Sequence, residues 1–284
     1  MEMKTKSGKA ILLFSCAAIV AAAAVRFFQY VTIMDFSTGF FKSGTEAMGL
    51  LIYILLGAAA VGFAVFAAVG KKRGNAAYFL SSDGMGDSAT QPLGVAFLIA
   101  ALITITSVTG YVPIERSLEG FFENAGAVIV AIVYAALGFI MLKNTVPPVY
   151  TGHIHIFLAA YWFLETAAFF NSDLIVLNHS ENLILLFGYI CMTVFTLSCA
   201  RFYARLETKG SRMREIIAAG FTFLVSGTAV LAKSAAVLFG GEAVKGISGI
   251  SSDALCMLVL SGTFLFTIFY TEKKKDIEYL AEKK

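Results

Sequence analysis

Eight runs of mainly apolar residues, each long enough to cross a bilayer as a helix, divide this chain. They fall at roughly 10–33, 47–69, 93–112, 125–142, 153–170, 182–203, 216–239 and 252–270. About 20 such residues in helical form span the hydrocarbon core of a membrane. Backbone groups find no water there, and a helix satisfies them internally. The pattern predicts an all-α, polytopic integral membrane protein: a single transmembrane bundle over residues 1–284 with short loops. Composition closes off the soluble alternative. Of the 284 residues, 58% are hydrophobic and 14% charged, whereas a water-soluble domain carries about 25% charged residues.

Basic residues mark every second link. Lys4, Lys6 and Lys9 precede the first run, Lys71, Lys72 and Arg73 follow the second, and Lys143 follows the fourth. Arg201, Arg205, Lys209, Arg212 and Arg214 surround the sixth link, and Lys273, Lys274, Lys275, Lys283 and Lys284 end the chain. The alternate links hold Asp35 and Glu46, then Glu115, Glu119 and Glu123, then Asp173 and Glu181, then Glu242. By the positive-inside rule both termini lie in the cytoplasm of a multi-pass cell-membrane protein. An even number of spans, read separately, agrees with this by placing both termini on one side. The first run, with its basic flank and "AAAAV", also resembles a cleavable signal peptide, which would leave seven spans and an external N-terminus. The four cysteines, Cys16, Cys191, Cys199 and Cys256, fall inside runs without paired spacing. They are expected as small buried hydrophobes rather than a disulfide framework or a zinc site.

Pro92 and Pro113 bracket the third run, and Pro147 and Pro148 sit in a link. No run carries a proline inside it, so continuous helices are expected instead of the interrupted helices of many secondary transporters. Alanine rows at four-residue spacing, Ala60, Ala64 and Ala68 and then Ala127, Ala131 and Ala135, are expected to let helix backbones approach closely. "RFFQYVTIMD" in the first run lies over "WFLETAAFFN" in the fifth, setting Gln29 against Glu165 and suggesting a weak parallel repeat of 1–145 and 146–284.

Three formal charges stand inside the runs and away from their ends: Arg26, Glu165 and Lys233. A charge at the middle of a membrane helix costs about 2.5–3.5 kcal/mol on insertion scales, so it usually faces protein or water. Glu165 lies about 9 Å inside the outer end of its run and Lys233 about 10 Å, at 1.5 Å per residue. Arg26 is in the outer half of the first run. The three therefore share one layer, and an intramembrane charge cluster is expected there. The competing account has the long cations snorkel to the headgroups and Glu165 buried as a neutral acid.

Polar residues recur on the same helical faces. Gln29 accompanies Arg26; Tyr161 and Trp162 lie one turn from Glu165; Thr104, Ser107 and Tyr111 form one stripe, and Thr222 and Ser226 lead to Lys233 on another. Together they are expected to line an outward-facing polar cavity, unless the hydroxyls bond their own helix carbonyls. His153 and His155 are two apart, point to opposite sides of a helix, and read as interface residues. "SSDGMGDSATQP" at 81–92 lacks the context of a phosphate loop and reads as a linker. No nucleophile–base pair, metal constellation, cofactor motif or nucleic-acid motif is present in the sequence. The expected partners are the lipid bilayer, a small solute or ion, and other membrane subunits. A non-enzymatic transporter using Glu165 is the favoured reading; a membrane sensor or accessory scaffold subunit is the alternative.

Overall fold

The structure is a computed structural model that describes residues 6–35, 41–72, 87–110, 118–144, 146–172, 180–206, 211–244 and 249–282. Eight helices account for nearly all of them: α1 (Lys6–Thr32), α2 (Glu46–Lys72), α3 (Asp87–Gly110), α4 (Leu118–Lys143), α5 (Tyr150–Ser172), α6 (Ser180–Tyr203), α7 (Ser211–Phe239) and α8 (Ser252–Glu282). A short 3-10 turn, Gly241–Val244, and an isolated bridge between Met34 and Phe41 complete the regular structure of the described residues. Each helix contains a stretch long and apolar enough to cross a membrane. The chain is an all-α polytopic membrane bundle, one helix per expected run.

Several helices extend beyond the expected runs, and two of these boundaries bear on residues singled out in the sequence. Helix α3 begins at Asp87, so Pro92 lies inside it instead of at its edge. The proline sits in the second turn, where it removes a single backbone hydrogen bond near the helix end. Helix α7 begins at Ser211, more than a turn before the expected 216, and so takes Arg212, Arg214 and Glu215 into the helix. The link at 73–86 and Tyr111 lie outside the described residues.

Helix α7 is the hub. It packs on α1, α2, α6 and α8, and 72% of its membrane-crossing window is buried, against 22% for α2 and for α5. Helices α3 and α4 form a tight hairpin that docks on α8, and α5 packs along α6, whereas α4 and α5 touch only lightly. Leu13, Ile54, Ile132, Phe157, Phe163 and Leu238 are exposed. In lipid such exposure carries none of the penalty it has in water, so burial inside the bundle reports packing and not hydrophobicity.

Glycines set the closest helix crossings. A Cβ on Gly94 of α3 would stand 3.0 Å from the Gly138 carbonyl oxygen of α4, and one on Gly138 the same distance from that of Gly94. Gly152 of α5 is tighter still, with Ala204 N 2.4 Å from the position of a Cβ. The alanine rows play a lesser part: Ala131 is buried, but Ala68 is exposed on the outside of α2. Cys191, Cys199 and Cys256 are buried free thiols and Cys16 is an exposed one.

Candidate functional site

Because consecutive spans reverse direction, one side of the bundle holds the start of α1 and the end of α8 (the near side); the opposite, far side holds the ends of α1, α5 and α7 and the starts of α6 and α8. The far-side layer contains the three charges singled out above. Arg26 and Lys233 share one cavity, whose described walls do not include Glu165.

The first place surrounds Glu165. Tyr161 lies one turn before it on α5 and is in side-chain contact with it. Trp162 is fully buried, its ring 5.3 Å from that of Tyr161 and 5.8 Å from that of Tyr189 on α6. Phe169 closes the outer edge at 5.4 Å from Tyr189. The Tyr189 hydroxyl donates to Asp253 Oδ2 at 2.7 Å. Asp253 stands in the first turn of α8, where the helix dipole favours a carboxylate. Both carboxyls, Glu165 and Asp253, act electrostatically on the same two phenols, Tyr161 and Tyr189. Deeper in, Thr104 contacts the Cys256 thiol at 3.7 Å, and Tyr134 neighbours Trp162.

The second place joins Arg26 and Lys233, which wall one cavity between α1, α6, α7 and the entry to α8. Arg26 is 1% exposed and Lys233 6%, so neither side chain lies open at the headgroups. The Arg26 guanidinium lies over the Tyr30 ring at 4.7 Å, and its Nη1 donates to Gln29 Oε1 at 3.1 Å. Gln29 in turn donates to the Met48 carbonyl at 2.8 Å, fastening α1 to the start of α2. Lys233 Nζ donates to the Gly249 carbonyl at 3.3 Å.

The polar stripes take the backbone-bonded form. Thr104 donates to Ala100 O, Ser107 to Thr104 O, Thr222 to Ala218 O and Ser226 to Thr222 O. A hydroxyl so engaged is satisfied within its own helix. Tyr161 and Trp162 belong to the Glu165 site and Gln29 to the Arg26 site.

A second polar layer lies on the near side. Arg212 and Glu215 form a buried ion pair one turn apart on α7, with the guanidinium 4.1 Å from the Phe202 ring centroid and 5.4 Å from that of Phe264. Cys199 and Tyr203 of α6 are within electrostatic reach of Glu215. His155 is 1% exposed, which corrects its assignment to the interface; His153 is exposed. The His155 ring packs 5.6 Å from that of Phe97 and 4.8 Å from that of Tyr203. Its Nδ1 lies 2.8 Å from the Thr151 carbonyl. A carbonyl only accepts, so Nδ1 carries the proton and Nε2 presents a lone pair. A small cavity beside the ring is walled by Thr196, Cys199 and Tyr203 among others.

Between the layers stand Ala100, Leu158, Met192 and Leu260, all buried. Ten residues of α5 separate His155 from Glu165, about 15 Å along the helix at 1.5 Å per residue. The bundle thus has titratable groups at two depths with an apolar septum between them. The larger cavities, of about 350 and 400 Å³, lie on the outer flanks of α7 beside α6 and α2 and have mainly apolar walls.

No known family, curated protein or solved structure matches this chain.

Sequence reasoning missed Tyr189, Arg212, Glu215 and His155 as buried polar groups and Asp253 as a half-buried one. Asp253 and Glu215 sit at the edges of runs, where charges are ordinary. One signal was present: Arg212 and Glu215 are three apart, the spacing of a pair on one helical face. Among the described residues, no three His, Cys, Asp or Glu side chains come together as a metal site.

Proposed function

We propose that this protein is a proton-coupled membrane transporter of a small solute or ion, with its near side in the cytoplasm. The reading rests on Glu165 and Asp253 sharing Tyr161 and Tyr189 inside the far-side layer. Intramembrane carboxyls of this kind mark ion and proton paths in pumps and transporters. A phenol suits both protonation states of its partner: it donates to a carboxylate and accepts from a carboxylic acid. Tyr189 therefore stays bonded to Asp253 while a proton arrives or leaves. His155 and the Arg212–Glu215 pair supply relay groups at the second depth, and movement of α5 and α6, which carry Leu158 and Met192 of the septum, would join the two layers.

The test is proton movement into proteoliposomes, followed with an internal pH dye while a panel of ions, amino acids and sugars is presented. The wild type is expected to acidify or alkalinise with at least one member of the panel. Glu165→Gln and Asp253→Asn keep shape and remove the titration, and each is expected to abolish the signal in protein that still elutes as a folded species. Equal signals from wild type and both variants would overturn the proposal, as would a wild type silent to the whole panel.

Orientation follows from the basic links. Reporter fusions ahead of Lys6 and after Glu282 are both expected to register the cytoplasm; an external N-terminal reporter would reverse the assignment of sides.

A second reading, an accessory or sensor subunit, draws on α2. Its outward face exposes Gly57, Ala58 and Ala68, small residues of the kind that admit another membrane helix.

A further inference from the structure

We infer that the cavity between Arg26 and Lys233 is a binding site for one small monatomic anion of the halide class. Arg26 is 99% buried by its 1% exposure, and its Nη2 has no hydrogen-bond partner. The guanidinium spends Nη1 on a neutral amide, Gln29. Lys233 brings a second positive charge to the same walls, from α7. Ser251 adds a hydroxyl, and the amino-terminal end of α8 begins at the next residue. That helix end carries a partial positive charge.

The described residues that wall the cavity include no aspartate or glutamate. The nearby Asp253 turns to Tyr189 and takes its hydrogen bond there. Burying the unsatisfied Nη2 donor of the Arg26 guanidinium is costly. A bound anion accepts from that donor and balances its charge. Size sets the class. The accessible volume of about 10 Å³ is of the order that one water-sized body needs, which points to a small monatomic anion such as a halide. The apolar remainder of the wall, Ile184, Leu185, Val230 and Ile250, strips water from the ion and so disfavours strongly hydrated competitors.

This site stands apart from the transport reading. A protein that binds halide without moving any solute would keep the inference and sink the other. The probe is chloride, against gluconate at constant ionic strength, with full-length protein in detergent. Chlorine-35 line broadening and thermal stability are the readouts. Wild type is expected to show saturable broadening, displaced by bromide, and a melting temperature that rises with chloride. Arg26→Gln and Lys233→Met are each expected to weaken the apparent affinity about tenfold or more, the loss of one charge-assisted hydrogen bond. Arg26→Lys, which keeps the charge, is expected to retain part of it. Should Arg26→Gln fail to fold, Lys233→Met and the wild-type competition decide. Absence of saturable chloride broadening in the wild type overturns the inference. So does a response to anionic phospholipid in nanodiscs that chloride cannot reproduce, and so does undiminished chloride affinity in Lys233→Met.

Discussion

Truncating Glu215 to alanine while Arg212 remains is expected to destabilise the bundle by about 3–5 kcal/mol, the usual cost of breaking a buried ion pair from one side. Arg212 is 5% exposed and Glu215 1%. The guanidinium is held between Phe202 of α6 and Phe264 of α8, so it cannot swing out to water when the carboxylate goes. The single change leaves a charge facing aromatic rings, which compensate only a part of its desolvation. Replacing both partners, as Arg212→Met with Glu215→Leu, is expected to restore most of the loss, because an apolar pair of similar volume has no charge to desolvate. Unfolding of the purified protein in mixed micelles measures both. A double variant less stable than Glu215→Ala would show that the pair contributes net stability and would sink this account.

Substituting Gly152 with valine is expected to be the most damaging change at any close helix crossing. The Cβ would meet backbone atoms at the end of α6 and just beyond it, Ala200 O at 2.7 Å and Ala204 N at 2.4 Å. Backbone in a helix cannot turn aside as a side chain can, so α5 and α6 must separate along their long contact. Overpacking costs about 1–3 kcal/mol and occasionally more, and a backbone clash belongs at the upper end. Gly57→Ala is the matched control. A Cβ at Gly57 meets nothing within 4 Å, and alanine is the better helix former by roughly 0.5–1 kcal/mol. The two variants are expected to shift the unfolding midpoint in opposite directions. Equal tolerance at the two positions would mean that α5 and α6 are not closely packed.

The bundle was legible because the bilayer imposes its dimensions on the sequence. Each apolar run became one helix, and the charges Arg26, Glu165 and Lys233 stood out because each is the one charged residue of its run. Partners were not legible, because which helices adjoin is decided by side-chain packing between spans and not by any pattern within one. The placement of α8 beside α3 and α7 is what brings Asp253 to Tyr189 and Cys256 to Thr104. Nothing in residues 252–270 alone marks those neighbours. Edge groups were hidden for another reason. Arg212 and Glu215 lie where a loop was expected to end, and Pro92 where a helix was expected to begin, so a turn of error at a boundary turned buried residues into link residues. His155 needed only its helical phase: it is two residues from exposed His153 and therefore faces the opposite way, inward.

The docking of the α3–α4 hairpin on α8 sets a schedule for synthesis. As the ribosome delivers the chain, α3 and α4 can pair at once, but the surface of α3 that meets α8 must wait while α5, α6 and α7 are made. Through that interval Thr104 and the small residues Ala96 and Ala100, all buried in the finished bundle, face lipid or the insertion machinery. The hairpin is the early arrival and α8 the keystone. A nascent chain stalled before residue 252 would carry its outer carboxyl site half built, with Tyr189 in place and Asp253 still to come.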